Sequence, residues 1–371
     1  MDTVGSWLKL VHAHWPPAEA SSWDAVGLQV GGSSWPVARV LVALDVTADV
    51  LDEAAAQPHT MVLAHHPLLL KPLARLTPDT PAGALALRAA TSRIAVAAAH
   101  TNLDVAQDGT GTSDPVATTL ALENLRPLTT ELGDASHVKL VVLVPVAHTD
   151  DVLDAIAAAG GAAQGVYERV SFRAGGLGTF TPLPGAKPYV GQVGQPHLEE
   201  EDRLELLVAK RQVGPVVRAM LAAHPYEEVA YDLMPLLDGA TVGFGRVGTL
   251  PVPRTLQDVA DLLRHRMPSP HLRIAGDRSR MVQTVATVGG SGMSLAGAAL
   301  AAGADVYVTG DCKHHDVLDV IAQGMAVIDA GHHATENAAL PAWISALTAD
   351  AKAQGLSASV LASQVDTDPW S

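Results

Sequence analysis

The sequence predicts an α/β protein built from two related βαβαβ halves, with a smaller α+β domain inserted between them. Three observations predict it. Strand-like and helix-like segments alternate toward both ends of the chain, histidines recur at corresponding points of the two alternating stretches, and the middle follows a different plan. The boundaries read as 1–130 for the first half, 131–238 for the insert and 239–371 for the second half.

In the first half "RVLVALDV" (39–46) reads as a strand, "TADVLDEAAAQ" (47–57) as a helix and "TMVLAHHP" (60–67) as a second strand. "AGALALRAATS" (82–92) is a second helix and "RIAVAAAHTNLD" (93–104) a third strand running into a loop. Strands joined by helical crossovers become parallel neighbours in a sheet covered on both faces. The second half repeats the plan with "QTVATVGG" (283–290), "SLAGAALAAG" (294–303), "ADVYVTGDCKHHD" (304–316), "VLDVIAQG" (317–324) and "MAVIDAGHHATE" (325–336). In both, the second strand is expected to run into a histidine pair, His65 with His66 and His314 with His315, while the third places His100 and His332 at matching points. Ligands of open α/β sheets bind beyond the carboxyl ends of the strands, which is where these histidines collect.

The insert opens with "HVKLVVLVPVAHTDDVLDAIAAAGG" (137–161), a strand then an amphipathic helix. "SFRAGGLGTFTPLPGAKPYVGQVGQP" (171–196) is expected to be a loop, its glycines serving turns because "GGLGTF" opens no helix. A strand, a helix and a strand close the insert, with "HPYEEV" (224–229) as the turn into the last strand. Beyond the second half, "LSASVLASQVDTDPWS" (356–371) alternates like a final strand.

Composition bounds the function. With 48% hydrophobic but only 4% aromatic residues, the cores of the 371-residue chain are aliphatic. A formal charge of −15 argues against a general nucleic-acid or anionic-membrane binder, and the arginines 264, 266, 273, 278 and 280 read as a solvated face. One cysteine, Cys312, excludes an intrachain disulfide framework. With no secretory signal and no run of eighteen apolar residues, the expectation is a soluble cytoplasmic protein.

Three stretches carry ligand chemistry: "HHP", "HTNLD" with His100 and Asp104, and "GHHATE" with His332 and Glu336. Gly331 can make the strand-to-helix turn, and the i, i+4 spacing places His332 and Glu336 on one face of the following helix. Adjacent residues of a strand point oppositely, so His65 and His66 can share one centre only if the strand has ended, as Pro67 indicates. Singly, a strand-end histidine is more often a hydrogen-bonded core or surface residue, Asp104 a cap and Glu336 a first-turn acid. Their joint recurrence favours a metal site. Imidazole with carboxylate suits Zn, Mn, Fe, Co or Ni, and so many donors exceed the needs of one catalytic ion, whereas two ions bridged by a carboxylate would use them. His333, His314 and His315 are expected around the ligands. "GGSGMSLAG" (289–297) reads as a tight βα turn, Asp24 as a helix cap and Trp23 as a packing anchor.

"WDAVGLQVG", "LAHHPLLL", "AAHTNLD", "GADVYVTGDCKHHD" and "GHHATE" together resemble, in order, the signatures of the NIF-three-like dinuclear-metal-centre family, whose members are often labelled GTP cyclohydrolase 1 type 2 homologs. The segment from "VKLVVLVP" to "HPYEEVAYDL" resembles the PII-like domain of longer members. The resemblance implies His65, His66, Asp104, His332 and Glu336 as ligands of two divalent ions, a bridging carboxylate, and a toroidal homohexamer. Two positions depart from the pattern: Ala25 stands where members commonly have Asn, and His333 where they commonly have Tyr. The implied chemistry is metal-dependent hydrolysis of a small molecule such as a nucleotide; His100 or His315, imidazoles near the ligands that need not bind metal, is the expected proton shuttle. The competing expectation is a metal-binding or regulatory hexamer in which the insert binds a partner or gates the ring.

Overall fold

The structure, a computed structural model, describes residues 2–130, 137–236, 243–267 and 272–370. It divides into two compact units, Met1–Glu131 with Thr241–Ser371, and Leu132–Ala240. Among the described residues no helix is long and apolar enough to cross a membrane.

The larger unit contains two mixed sheets. In the first, strands Ser359–Ala362, Arg39–Ala43, Thr60–Ala64 and Ala95–Ala98 run parallel in that order, and Gly27–Val30 closes the edge antiparallel. Every residue of the Arg39–Ala43 and Thr60–Ala64 strands is buried, as the crossover helices require. Alternation assigns their faces. Val40, Val42, Met61 and Leu63 pack with Trp7, Trp15 and Trp343 of the flanking helical segments, while Leu41, Ala43, Val62 and Ala64 pack under the helices Ala48–Ala55 and Pro81–Thr91.

The second sheet has the order Arg273–Ala275, Ala326–Asp329, Val306–Thr309, Met281–Thr287, Arg246–Thr255, Glu123–Pro127. Ala326–Asp329, Val306–Thr309 and Met281–Thr287 pair parallel with one another, and the other neighbouring pairs are antiparallel. The last strand of each half completes the opposite sheet: Glu123–Pro127 edges the second, and the closing strand Ser359–Ala362 edges the first beside Arg39–Ala43. The helix before it, Leu340–Gln354, carries Trp343 and Leu347 into the first sheet's core.

The smaller unit is one antiparallel sheet in the order Tyr231–Pro235, His137–Pro145, His197–Ala209, Ser171–Phe180, with helices Thr149–Ala158 and Val213–Ala223. Along the chain this is βαββαβ, a split βαβ arrangement. One expectation is corrected. The start of the glycine-rich stretch is a strand, Ser171–Phe180, because the thirteen-residue strand His197–Ala209 offers it a long antiparallel ladder and its glycines leave room for side chains of that partner.

Candidate metal centre

The strand Thr60–Ala64 ends one residue before the histidine pair, which frees His65 and His66 from opposite-face alternation. Their backbone N–H groups still donate to Ala43 and Leu44 of the neighbouring strand, so the pair is fixed at the carboxyl edge of the first sheet. The four-residue helix Thr101–Asp104 follows the third strand and brings Asp104 back. From the second half, Gly331, with φ of +85°, turns the strand Ala326–Asp329 into the helix His332–Asn337. That positive φ is easy for glycine and strained for other residues.

These stretches meet. His65 Nε2 lies 3.5 Å from Asp104 Oδ1 and 3.6 Å from Glu336 Oε1; His66 Nε2 lies 3.1 Å from Glu336 Oε2, and His332 Nε2 3.2 Å from Glu336 Oε1. Glu336 is 4% exposed, so one buried carboxylate sits at the centre of three imidazoles. Gly290, with φ of +66°, is required beside it, because a Cβ there would collide with Glu336 Oε1.

The other ring nitrogens are all committed. His65 Nδ1 donates to Ala99 O at 3.0 Å, His66 Nδ1 to Asp45 at 2.9 Å, His332 Nδ1 to Asp311 at 2.7 Å and His100 Nδ1 to Asp24 at 2.9 Å. Each fixes the tautomer and aims Nε2 inward, which is how metal-ligating histidines are prepared. His65 Nε2 and Glu336 Oε2 are buried without an aligned hydrogen-bond partner. Such orphans are costly unless something else occupies their lone pairs. The donor atoms form two close groups that could hold an ion: His65, His66 and His100, and His66, His332 and Glu336. Asp104 joins neither at that spacing, but its bond from Thr112 Oγ1 at 2.7 Å holds it against His65.

Electrostatics agree. Burial alone would lower the histidine pKa values, yet Asp45 and Glu336 push His66 up to about 10, and Glu336 and Asp311 push His332 up to about 9. Burial would raise Glu336, but the three imidazoles hold it well below its ordinary value. Burial dominates at Asp104 and raises it. The pocket is therefore one that favours positive charge, as protons or as a cation.

Several expected residues lie elsewhere or act otherwise. His314 and His315 do not end a strand: Val306–Thr309 is followed by Gly310 and Asp311, and the pair sits exposed in the first turn of helix His314–Ala322. His315 lines neither cavity that reaches the centre, whereas His100 lines one of them. Trp23, expected as a packing anchor, is 62% exposed and stands edge-on to His100 at the rim of a cavity of about 370 Å³. Asp24 caps a helix, but across the fold: it accepts from the Thr101 N–H at 3.0 Å while orienting His100. His333 faces Asp366 and Asp368 at 3.8 Å rather than the ligands. The orienting acids Asp45 and Asp311 escaped sequence reasoning; their signal is position, each lying two residues past a parallel strand.

The chain matches the family model for Duf34/NIF3 (NGG1p interacting factor 3) over residues 3–369. The chain belongs to the NIF3 family. Relatives named "GTP cyclohydrolase 1 type 2 homolog" are 39% identical in Bacillus subtilis, covering 96% of this chain and 94% of that one, and 37% identical in Mycobacterium leprae, covering 97% and 93%. Among solved structures, a Bacillus cereus protein related to NIF3 is 36% identical with a TM-score of 0.73 over 100% of this chain and 98% of that one. A Staphylococcus aureus protein is 26% identical with a TM-score of 0.82 over 100% and 98%. The mixed α/β architecture of this NIF3 family member is thus shared with its structural relatives, and its clustered histidines and glutamate could hold metal.

Proposed function

We propose that this NIF3 family member is a metal-dependent hydrolase whose centre holds two divalent ions drawn from Zn, Mn, Fe, Co or Ni. One observation carries the reading: the anchored Nδ1 atoms of His65, His66 and His332 leave three Nε2 atoms converging on the buried Glu336. Glu336 presents one oxygen to His65 and His332 and the other to His66, which suits a carboxylate shared between ions. His65, His66, Asp104, His332 and Glu336 would hold the ions between them. Divalent ions in such a centre supply Lewis acidity and a water that ionises near neutral pH.

The chain supplies the rest. His100, held by Asp24 and lining the same cavity, can take or return a proton at Nε2. Among the described residues the cavity lining includes no Lys or Arg, so an anionic substrate group would be met at the centre itself rather than by a side-chain clamp. Trp23 at the rim offers an apolar face for a flat ring, which favours a nucleotide-like substrate and accords with the "GTP cyclohydrolase 1 type 2 homolog" name of the relatives. The glycine turn at 289–292 is followed by a helix of six residues only, Ala296–Ala301, and is better explained by its approach to Glu336 than as a phosphate cradle. The βαββαβ order of the smaller unit supports a PII-like identity for it, and the proposal extends to a cytoplasmic homohexamer.

Turnover tests the reading. Protein of verified metal content, screened against GTP and a panel of phosphate esters, is expected to show activity that disappears in Asp104→Ala. Full metal occupancy with no turnover on any of them would favour the metal-binding or regulatory alternative. Elemental analysis and native mass spectrometry would count ions and subunits.

A further inference from the structure

The smaller unit contains a cavity of about 380 Å³ that the hydrolase reading does not use. It is assembled from stretches with no part in the metal centre: the glycine-rich strand Ser171–Phe180, the loop through Tyr189, the "HPYEEV" turn, and Leu143 and Glu201 of the strands His137–Pro145 and His197–Ala209. Its volume is that of a small-molecule pocket.

The floor is Glu201. This residue is 7% exposed, lines the cavity, and makes no ion pair with any Lys or Arg among the described residues. Its carboxylate lies over Gly178, where a Cβ would collide with it, so the glycine of "GGLGTF" makes room for the acid. Beside it, the Tyr226 hydroxyl is buried without an aligned hydrogen-bond partner. Burial together with Glu201 raises the pKa of Tyr226, which keeps that phenol neutral. His224 cannot supply the missing charge. Its Nε2 donates to Leu143 O at 2.9 Å, its Nδ1 accepts from the Tyr226 N–H at 3.1 Å, and burial lowers its pKa.

The walls are aromatic. Tyr226 stands 6.0 Å from Phe180 and 6.3 Å from Tyr189, centroid to centroid, and Tyr189 is pinned by His148 through its hydroxyl at 2.8 Å. Glu227, held by the Lys187 N–H at 2.8 Å, and Glu228 add negative charge at the rim. Aromatic faces attract cations through their quadrupoles, and a desolvated carboxylate without a counter-ion multiplies that preference. A hard metal ion would need six or more oxygen ligands, which one buried carboxylate among phenyl rings does not provide.

We propose that this cavity is a binding site for a small organic cation, an alkylammonium or quaternary ammonium group seated on Glu201 and enclosed by Phe180, Tyr189 and Tyr226. The overall charge of −15 adds long-range attraction for such a ligand. The site is independent of the metal centre and of the hydrolase reading.

The test uses the full chain with choline, tetramethylammonium and butylammonium as probes. The neutral isostere 3,3-dimethylbutan-1-ol and calcium ion serve as controls, and binding is read by calorimetry and by chemical-shift changes of the tyrosine rings. At least one ammonium probe is expected to bind saturably, and about 10-fold or more tighter than the neutral isostere. Glu201→Gln, checked for an unchanged circular dichroism spectrum, is expected to remove that preference, and Tyr189→Ala to weaken binding should Gln at 201 disturb the fold. No saturable binding of any ammonium probe below 10 mM, roughly the limit of a weak specific site, overturns the proposal. So does equal binding of the isostere, full retention in both variants, or calcium binding that depends on Glu201.

Discussion

Four acids are buried among the described residues, and they divide into two pairs. Asp114 and Asp329 are neutralised by guanidinium groups, those of Arg246 and Arg273. Glu336 and Glu201 are not. Glu336 is ringed by imidazole nitrogens and Glu201 by phenyl and phenol rings. Neither has a Lys or Arg beside it among the described residues, and a buried carboxylate is tolerated only when something pairs with it. What surrounds each carboxylate then selects the cation: nitrogen lone pairs suit a transition metal, aromatic faces suit an organic ammonium.

The largest expected effect comes from removing a nitrogen lone pair beside Glu336. His65→Ala should lower metal affinity by about 10³-fold or more, since a ligand counts for more than the roughly 10- to 100-fold of an orienting group. Ammonium binding in the smaller unit should stay unchanged. Metal content after dialysis against a weak chelator measures the first and calorimetry the second; loss of both in a folded variant would break the distinction between the carboxylates. Next comes Gly290→Ala. It forces a positive φ on alanine and drives a Cβ into Glu336, so we expect a destabilisation of about 1–3 kcal/mol by thermal melting and a substoichiometric metal content.

Asp45→Asn keeps the shape around His66 but removes the charge that orients its Nδ1. The expected loss of metal affinity is about 10- to 100-fold, by competition with a fluorescent chelator. Asp311→Asn should cost less, because Asp311 is half exposed and its charge is better screened. The metal-free protein sharpens the same point by pH. His66 and His332 have folded pKa values of about 10 and about 9, above the ordinary 6.5 of an unfolded chain. Groups raised by folding stabilise fully below the unfolded value, and that stabilisation is lost as pH climbs through the folded one. The melting temperature of chelator-treated protein should therefore fall between pH 7 and about pH 10, and fall less in metal-loaded protein, whose imidazoles are already deprotonated.

The alternation of apolar strands and helices was legible because parallel strands buried on both faces leave continuous aliphatic runs such as "VLVA" and "MVLA". The residues gathered around Glu336 were legible because ligand chemistry is confined to few residue types and the chain repeats them at strand ends. What escaped depends on distant pairing. Nothing local marks Asp45 or Asp311 as orienting acids, since an aspartate after a strand serves equally as a turn residue. "KHHD" imitates "AHHP", but four residues separate its histidines from the strand, enough to start a helix and turn both rings outward. The first glycine-rich segment of the insert lacks the side chains that signal a strand, and only its partner strand makes it one.

The smallest effect concerns the hydroxyl of Tyr226, which separates two accounts of how Glu201 is held. An aligned bond from that hydroxyl would make it a partial substitute for a cation, and its removal would destabilise the unit by about 1 kcal/mol or more. The hydroxyl lies near enough to Glu201 for the acid to raise its pKa, but it lacks an aligned partner, so little bond energy is expected from it. Tyr226→Phe keeps the ring that walls the cavity and deletes only that oxygen. The melting temperature should be unchanged or slightly raised, and ammonium affinity should change by about twofold at most, because the aromatic face and the carboxylate both remain. A clear loss of stability would mean that Glu201 is already satisfied by its neighbour, and its likeness to Glu336 as an acid awaiting a cation would end there.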